Sequence, residues 1–479
     1  MAYKHGTYQK EGATNFQLPI EVPYGYLIVG TAPINQVEEA NRTINEVKRI
    51  STPDEAIAYF GGTGDLSFTI SQAIKVFFEL YAVAPIYVVN VLDPETHNKD
   101  VTENAIDVAD GFFIIPSQAI MIETLVVSDN ATSVPIADVV TEWVTEGLKV
   151  YTTATKVDIT YKALDPTKVT KDEIIGGYDL NTMKRTGLEL IHEIYIKFSE
   201  LPAFIDAPGF SHDSEVAAIL ETKARSINGG MFESIPLINA PLDKRYDELV
   251  VWKEDNNITD NDEIVLYGAI KLGEGVYHQS IHYAALSLLT DSDSEGVPCA
   301  TPSNKAYKMD ALLWKNATGE LEELRLDREM QANFLNYNGI ITAINFKGWR
   351  CWGSETALNP MATDPKDKYV TARRMFKYVG NQFVISHFND VDTLLTPRKA
   401  RTMLESMNAT IRGWQSAEYI LDGDVAFSAT ENNLITAFNG DFTFDIKLGL
   451  MPFMKSITFK KQIDKTYLET FLSTLMGGN

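Results

Sequence analysis

Two closely spaced histidines are the feature of this sequence that most resembles a metal site. His278 and His282 would lie on one face of a helix. Zinc sites with this spacing also need a third ligand and often a glutamate between the histidines. Here Gln279, Ser280 and Ile281 separate them. We therefore expect packing or capping histidines and no bound metal.

Three other stretches have the residue types of a functional site but not its spacing. Residues 291–296 begin like a calcium loop, yet Pro302 occupies the twelfth position, which should be a bidentate glutamate. Ser211, His212 and Asp213 are consecutive, whereas the members of a hydrolytic triad converge from separate elements. Residues 61–64 are rich in glycine but lack the Lys-Ser/Thr of a phosphate-binding loop. We expect a solvated acidic turn, a helix cap and a helix stop, respectively.

Aromatic and acidic residues offer no stronger candidate. Trp349 and Trp352, with Arg350 between them, could form a stacking patch, but packing in the core is the favoured interpretation. No pair of carboxylates stands out as an acid–base couple. The sequence therefore predicts a protein that is not an enzyme and has no catalytic residues, no metal site and no cofactor.

Length and composition indicate an acidic protein with several domains. The chain has 479 residues, 45% of them hydrophobic, which is enough for two or three cores. Its formal net charge of −23 argues against a nucleic-acid partner. No apolar run is long enough for a transmembrane helix, and the first residues lack an apolar signal core, so we expect neither membrane insertion nor a secretion signal. Cys299 and Cys351 are expected to be free thiols.

Both ends of the chain carry β-strand patterns. Residues 441–448 alternate between apolar and polar types, which indicates a half-buried strand, and residues 456–463 and the N-terminal segment behave similarly. A short amphipathic stretch follows at 467–475. Because chain ends fray unless they are tied down, these strands need a sheet, either their own or a neighbouring subunit's. The apolar positions are Phe16, Leu18, Ile20, Val22, Phe442, Phe444, Ile446, Leu448, Ile457, Phe459 and Ile463.

Between these ends the order of elements is that of an α/β fold. A strand at 24–32 is followed by a helix that Thr52 can cap, by a second helix at 67–82 and by a strand at 86–92. The alternation resumes after residue 188 and is followed by a loop-rich region at 255–304. Further helices are expected at 320–335, 370–388 and 397–414, with a hairpin at 339–352. We predict an α/β (α+β) core in which helices cover a mixed sheet.

Residues 101–177 differ in character from their surroundings. Short β-rich runs, separated by Pro116, Pro135 and Pro166, surround one expected helix near residues 136–146. We predict an inserted, mostly β domain. The chain then divides into an N-terminal arm (1–22), a core domain (23–100 plus 178–439), the inserted domain (101–177), and C-terminal strands with an arm (440–479).

Seven short groups of residues match a known family in order. They are Ala2-Tyr3-Lys4-His5-Gly6; Tyr24 with Val29-Gly30-Thr31-Ala32-Pro33; Pro202 with Ala207-Pro208-Gly209; Asp291-Ser292-Asp293 with Gly296-Val297-Pro298 and Pro302-Ser303-Asn304-Lys305; Asn333 with Leu335-Asn336, Gly339-Ile340 and Thr342-Ala343; Gly348-Trp349-Arg350 with Trp352-Gly353 and Thr356; and Phe453 with Ile457-Thr458-Phe459. Together they resemble the contractile tail sheath proteins of tailed bacteriophages and phage-tail-like bacteriocins, in particular the group with short, simple tails. Residues 101–177 match nothing in that pattern.

The resemblance implies a structural role and a set of partners. Subunits of such sheaths stack in rings around a rigid inner tube, and their N- and C-terminal arms add strands to the sheets of neighbouring subunits. The terminal apolar positions would then lie in exchanged strands. The expected partners are other copies of the chain, an inner tail tube protein, and baseplate and tail terminator proteins. The expected location is a virion tail or bacteriocin particle that is assembled in the cytoplasm of the bacterial host.

A basic cluster on the predicted helix at 397–414 is a second candidate contact. Arg398 and Arg401 share a helix face, and Lys399 and Arg412 lie near the same side. The resemblance implies that this cluster contacts an acidic tube surface. The alternative is that these cations pair with nearby acids such as Glu405.

The sequence therefore predicts a sheath subunit that polymerises around a tube and contracts to drive the tube through the target cell envelope. An alternative from another class is a cytosolic α/β enzyme whose terminal strands complete its own sheet. A tube protein is disfavoured because tube subunits are expected to be small and all-β.

Overall fold

A computed structural model describes residues 24–130, 135–136, 139–144 and 146–477. Its strands are β1 Tyr24–Gly30, β2 Val47–Ile50, β3 Ile86–Asn90, β4 Asn98–Asp107, β5 Phe112–Ile115, β6 Val126–Asp129, β7 Val140–Val144, β8 Gly147–Tyr151, β9 Lys156–Leu164, β10 Gly177–Asp179, β11 Lys184–Thr186, β12 Leu201–Asp206, β13 Ile235–Asn239, β14 Ile264–Leu266, β15 Ala269–Leu272, β16 Gly275–His278, β17 Ala311–Lys315, β18 Leu321–Glu323, β19 Ile340–Asn345, β20 Trp349–Trp352, β21 Ile420–Phe427 and β22 Phe444–Leu450. Its helices are α1 Pro53–Phe60, α2 Thr69–Ile74, α3 Lys171–Ile175, α4 Ile191–Phe198, α5 Ser214–Arg225, α6 Leu249–Asp255, α7 Gln279–Ser292, α8 Asn333–Tyr337, α9 Pro365–Lys368, α10 Val370–His387, α11 Pro397–Ser416, α12 Leu434–Asn439 and α13 Lys465–Leu475.

The core is built on a mixed sheet with the strand order β2-β3-β1-β12-β13-β14-β19-β20. The six inner strands, from β3 to β19, run parallel to one another. The two edge strands, β2 and β20, run antiparallel to their neighbours. Parallel strands need cover on both faces, which explains why β3 and β13 are buried at every position. The mixed α/β core predicted from the sequence is present.

Helices cover both faces of this sheet. Tyr26 pairs with Ile86 across β1 and β3, so Tyr26 and Tyr87 point to opposite faces. On one face Tyr26 stacks on Phe77, in the π-helical turns that continue α2, with ring centroids 4.9 Å apart. On the other face Tyr87 stacks on Phe198 of α4 at 6.2 Å.

Helix α7 lies in the region that was predicted to be rich in loops, and that prediction is wrong. Almost every position from Gln279 to Asp291 is buried. The hydroxyl groups of Ser287 and Thr290 donate to carbonyl oxygens one turn earlier in the same helix, at 2.7 Å each. A helix buried on all sides has no polar stripe, so the sequence lacks the amphipathic period by which helices are recognised.

The segment from β4 to β9 forms two three-stranded antiparallel sheets, with orders β4-β9-β6 and β5-β8-β7. Its mostly β character agrees with the sequence, but the helix expected near residues 136–146 is wrong. Val140–Val144 instead forms β7 and pairs with β8. β-Branched and aromatic residues such as Val140 and Trp143 favour this pairing.

The helix expected at 320–335 is only partly present. Leu321–Glu323 pairs with β17 as the edge of a second, four-stranded sheet, in the order β16-β15-β17-β18. Helical structure begins at Arg328, as one π-helical segment followed by α8. The polar residues of this stretch are compatible with a helix or a strand, and pairing with β17 stabilises the strand.

Helix α10 connects the core to the C-terminal part of the chain. On its core side, the buried carboxylate of Asp262 lies 2.7 Å from Arg373 and 3.0 Å from Lys377. Burial opposes ionisation of Asp262, but Lys377 and Arg373 hold its pKa below the usual range. Arg374 forms a second buried ion pair, with Asp291 at the end of α7. Since losing one partner of a buried pair is strongly destabilising, these contacts fix α10 on the core.

Two buried carboxyl groups make the stability of the core depend on pH. Burial raises the pKa of Asp206, which accepts a hydrogen bond of 2.7 Å from the Tyr26 hydroxyl, to about 7. Burial likewise raises the pKa of Glu263 to about 8. The folded state therefore keeps protons that the unfolded chain releases. This stabilisation is complete below the ordinary values of 3.8 and 4.5 and is lost as the pH rises through about 7 and about 8.

Asp206 contributes a free energy of unfolding that falls between about pH 4 and pH 7, whereas the buried His282, whose pKa is lowered, contributes in the opposite direction. We therefore expect Asp206→Asn to shift the slope of the free energy of unfolding against pH in the positive direction over this range, since an amide does not titrate. Denaturant unfolding of both proteins across this pH range measures the effect. Asp392→Asn, in the exposed loop before α11, is the control and should leave the slope unchanged. An Asp206→Asn protein with the slope of the unsubstituted chain would contradict the assignment.

Candidate assembly surface

The C-terminal part of the chain has its own small core. Strands β21 and β22 pair antiparallel, with Val425 opposite Ile446 and Phe427 opposite Phe444, and we call this pair the terminal sheet. The apolar face of the terminal sheet packs against α10 and α11. The buried residues of this core are Val297, Met375, Val379, Phe383, Met407, Ile411, Ile420 and Val425.

The alternation read from the sequence holds in β22. Phe444, Ile446 and Leu448 lie on the face that packs against the helices, while Asp445 and Lys447 lie on the other. Phe442 precedes the strand and touches Phe427 at 6.1 Å between ring centroids. In the described chain, these C-terminal residues therefore complete a sheet with their own β21.

Helix α11 closes one edge of the terminal sheet with a side chain. The amide of Asn408 accepts a hydrogen bond from the Val425 N–H at 3.0 Å and donates to the Val425 carbonyl at 2.9 Å. Gln415 donates to the Leu421 carbonyl at 3.2 Å. Gly423 allows this close approach, because a Cβ at that position would lie 2.9 Å from Ile411.

The other edge of the terminal sheet, β22, is open. Among the described residues, β22 pairs only with β21. Val425 turns its backbone groups toward Asn408 and away from β22, so Val425 and Ile446 form a pair without mutual hydrogen bonds. By the alternation of an antiparallel ladder, Phe444, Ile446 and Leu448 direct their backbone N–H and C=O groups to the open edge. An edge of this kind can accept a further strand.

The chain that follows β22 is anchored at its start. Phe453 packs edge-on against Tyr369 with ring centroids 4.8 Å apart. Lys455 forms an ion pair with Glu355, whose side chain is only 3% exposed. These two contacts hold the root of the C-terminal segment, which we define as residues 451–477, against the body.

Beyond this root, the C-terminal segment is exposed. Every residue from Ser456 to Gly477 lies at the surface, and residues 456–464 form no helix or strand. Ile457, Phe459 and Ile463 are 60%, 83% and 95% exposed. The amphipathic helix α13 likewise leaves its apolar residues uncovered. Large apolar side chains that nothing covers mark an interaction surface.

An apolar groove of about 550 Å³ lies beside the root of this segment. It runs between α9 and α10 on one side and the end of β22 on the other. Its apolar lining includes Met375, Phe376, Leu448, Leu450 and Phe453. The groove and the open edge of β22 therefore form one continuous surface.

The predicted basic cluster lies at the exposed side of α11. Thr396 caps the helix by accepting a hydrogen bond of 3.1 Å from the Lys399 N–H. Arg398, Arg401 and Arg412 are exposed and form no salt bridge with any described residue. Lys399 differs from them, because its ammonium group lies 2.9 Å from Asp390.

Asp390 is held in its ionised form. Partial burial opposes ionisation, but hydrogen bonds from His387 and Lys399 hold the pKa of Asp390 below its usual range. Glu405, the acid named as an alternative partner for the cluster, forms no salt bridge within the described residues. The arginines of α11 therefore present free positive charge on the surface.

The histidines and the other short motifs have structural roles. His282 lies inside the core against the rings of Tyr81 and Tyr277, at 5.7 and 5.3 Å, and burial lowers its pKa to about 3. His278 occupies the position before α7, but its side chain makes no capping hydrogen bond there. Asp213 caps α5 by accepting from the backbone N–H groups of Glu215 and Val216.

Two more of these motifs can be compared with the structure. Helix α1 ends at Gly61, which has a φ of 84°, so the expected helix stop is present. The prediction of a solvated acidic turn is wrong for Asp291, which is buried against Arg374. No group of three or more His, Cys, Asp or Glu residues in the described chain could hold a metal ion. No helix in the described ranges is long and apolar enough to span a membrane.

Some of the predicted positions cannot be placed, and one functional position was missed. Phe16, Leu18, Ile20 and Val22 lie outside the described residues.

Asn408 was not recognised in the sequence. The only available signal was an asparagine in the interior of a long helix, where this residue type is disfavoured.

Comparison with known proteins identifies relatives, one of which matches the whole chain. No family model matches it. The tail sheath protein of Burkholderia phage BcepMu is 24% identical over 509 residues, covering 100% of this chain and 99% of that protein. The putative prophage major tail sheath protein of Pseudomonas aeruginosa strain UCBPP-PA14 is 23% identical over 332 residues, 66% of this chain and 78% of its own length.

Solved structures with a similar fold come from contractile particles. The sheath complex of the PVC extracellular contractile injection system, in the contracted state, has a TM-score of 0.57 at 11% identity and covers 98% of this chain and 99% of that one. The contracted helical sheath of the anti-feeding prophage has a TM-score of 0.56 at 13% identity and covers 97% and 100%.

These neighbours define the class of the fold, a mixed α/β sheath-type fold, as predicted. Within that class, the chain is similar to phage tail sheath proteins, so the resemblance carried by the seven groups of residues is confirmed. The alternative of a cytosolic enzyme finds no support among these relatives.

Replacing Asn408 by alanine should destabilise the chain, because it leaves the partly buried backbone groups of Val425 unpaired. We expect a loss of about 1–3 kcal/mol in the free energy of unfolding, measured by denaturant titration. Gln415→Ala, which removes an exposed bond to the same strand, is the matched control and should cost about 0.5 kcal/mol or less. Equal stabilities of the two variants would show that Asn408 does not secure β21.

Proposed function

We propose that the chain is the structural subunit of a contractile tail sheath. It polymerises in stacked rings around an inner tube and contracts to drive the tube through the envelope of a target cell. The observation that carries this proposal is an exposed strand-forming segment next to an open strand edge, in a chain similar to phage tail sheath proteins. The role is mechanical and needs no catalytic residue.

Strand addition between copies is the proposed means of assembly. The open edge of β22 offers backbone groups at Phe444, Ile446 and Leu448, and the segment with Ile457 and Phe459 has the alternation of a strand. A neighbour's segment that extends the terminal sheet would continue its apolar face with these two side chains. The N-terminal positions Phe16, Leu18, Ile20 and Val22 are proposed to enter a neighbouring sheet in the same way.

The lattice makes such weak contacts sufficient. One backbone hydrogen bond contributes only about 0.5–1.5 kcal/mol net, and ordering each residue of the arm costs about 1–2 kcal/mol. A single arm is therefore marginal. In a lattice, each closed contact raises the effective concentration of the next one, so many arms together hold the sheath connected while its core domains reorient.

The arginines of α11 are proposed to contact the tube. They are exposed and positive and form no salt bridge with a described residue, on a chain whose formal net charge is −23. A helix face of this kind favours an acidic partner. Lys399 contributes less, because Asp390 already neutralises it.

The remaining partners follow from the same role. We propose that the ends of the sheath meet baseplate and tail terminator proteins and that the particle, a virion tail or a bacteriocin, is assembled in the cytoplasm of the bacterial host. No nucleic-acid partner is proposed, since an acidic chain repels phosphate groups.

The double variant Ile457→Ser, Phe459→Ser should abolish polymers, since it removes the apolar residues of the proposed exchanged strand. Electron microscopy of the purified chain, which should show tubes without substitution, measures the effect. The control Thr458→Ser, Gln462→Ser introduces the same two residues on the opposite face and should form tubes. Both variants should unfold like the unsubstituted chain, because all four side chains are exposed. Discrete particles from the unsubstituted chain would instead favour the enzyme alternative.

The double variant Arg398→Glu, Arg401→Glu should weaken binding to the inner tube by tenfold or more, with little change in the free energy of unfolding. Co-sedimentation with tube protein at low and raised salt gives the comparison, since salt should weaken the unsubstituted contact as well. The control is Lys347→Glu, which reverses the charge of an exposed lysine elsewhere that forms no salt bridge with a described residue. If the double variant lost tube binding and stability to the same extent, the arginines would instead have a structural role.

A further inference from the structure

The terminal sheet carries an acidic surface without a balancing cation on the same stretch of chain. Between residues 418 and 445 the sequence has six carboxylates and no Lys, Arg or His. None of the six forms a salt bridge with a described residue, whereas acids elsewhere, such as Asp262 and Glu355, are paired. The six are Glu418, Asp422, Asp424, Glu431, Asp441 and Asp445.

Three of these carboxylates share the outer face of the terminal sheet. Asp422 pairs with Gly449, Asp424 with Lys447, and Ala426 with Asp445. These pairs alternate with the pairs that pack against α11, so Asp422, Asp424 and Asp445 point away from the helix. Lys447 is the single cation on that face, which leaves it with an excess of negative charge.

The C-terminal segment has the opposite charge. The six positions from 460 to 465 contain three lysines and one acid, Asp464. The lysines are Lys460, Lys461 and Lys465. All four residues are exposed, and the three lysines form no salt bridge within the described chain. Lys455 is not available, because it is bound to Glu355.

The lysines do not reach the acids of their own terminal sheet in the described chain. Phe453 and Lys455 hold the root of the segment on Tyr369 and Glu355, and every described residue from Ser456 onward is exposed. Like-charged chains also repel one another, so association of copies needs a local attraction. Both observations favour a second copy as the partner of the lysines.

We propose that the acidic outer face of the terminal sheet receives the lysine-rich part of the C-terminal segment of a second copy. This inference rests on the proposed function and adds the charged contacts that select a second copy as the partner. If Ile457 and Phe459 continue the apolar face of the sheet, alternation places Lys460 on the acidic face, next to the strand that carries Asp445. Opposite charge on that face and apolar side chains on the other then specify which way round the segment binds.

A charge swap in the full chain tests this pairing. The arm variant is Thr458→Glu, Lys460→Glu, both on the face that alternation turns toward the acids, and the sheet variant is Asp424→Lys, Asp445→Lys. Each should slow tube formation by about tenfold or more at low salt, as followed by light scattering and electron microscopy. The chain that carries all four substitutions should recover most of the unsubstituted rate. Lys347→Glu controls for charge reversal elsewhere and should assemble normally.

The possible outcomes separate this inference from the proposed function. Recovery in the fourfold variant, together with slower assembly of the unsubstituted chain as salt rises, supports the pairing. Normal tubes from both single-sided variants would overturn the pairing and leave the sheath function standing. Slow assembly that the fourfold variant does not relieve would also overturn it. An unsubstituted chain that forms no tubes under any condition would overturn both.

Discussion

The structure depends most on the pairing of backbone hydrogen-bonding groups at the edges of the terminal sheet. On the free side of β21, the amide of Asn408 pairs with the backbone N–H and C=O of Val425, as a neighbouring strand would. Strand β22 has no such cover among the described residues. An isolated two-stranded sheet is only marginally stable. Its packing on α10 and α11 keeps it folded while one edge stays available for another chain.

Helix α10 links that edge to the core. One side of the helix is fixed by the buried ion pairs of Arg374 with Asp291 and of Lys377 with Asp262, and the other side packs apolar residues against the terminal sheet. A buried ion pair has little freedom to shift without losing its partner. The core sheet and the open edge are therefore connected through one helix, a connection that a sheath subunit needs if reorientation of its body is to be transmitted to its neighbours.

The overall negative charge makes subunits repel one another, whereas the proposed attractive contacts are confined to two places on the surface. The chain is strongly acidic overall. The exposed cations that form no salt bridge with a described residue include those on α11 and in the segment after Phe459, which are the two places proposed to meet a tube and a neighbouring subunit. Long-range repulsion keeps free subunits apart, while contacts at these two places operate at short range and are screened by salt.

The sequence by itself determined the elements with a clear period or cap: the alternation of β22, the helix beginning at Pro53 and the basic face of α11. It also determined the family resemblance. Only the tertiary structure decided the identity of α7, because a helix buried on all sides has no amphipathic signal, and the strand at 140–144, because β-pairing overrode a helical expectation. The roles of Asn408, Phe453 and Lys455 likewise came from the structure. Their partners, Val425, Tyr369 and Glu355, are distant in sequence, and no local pattern encodes such contacts.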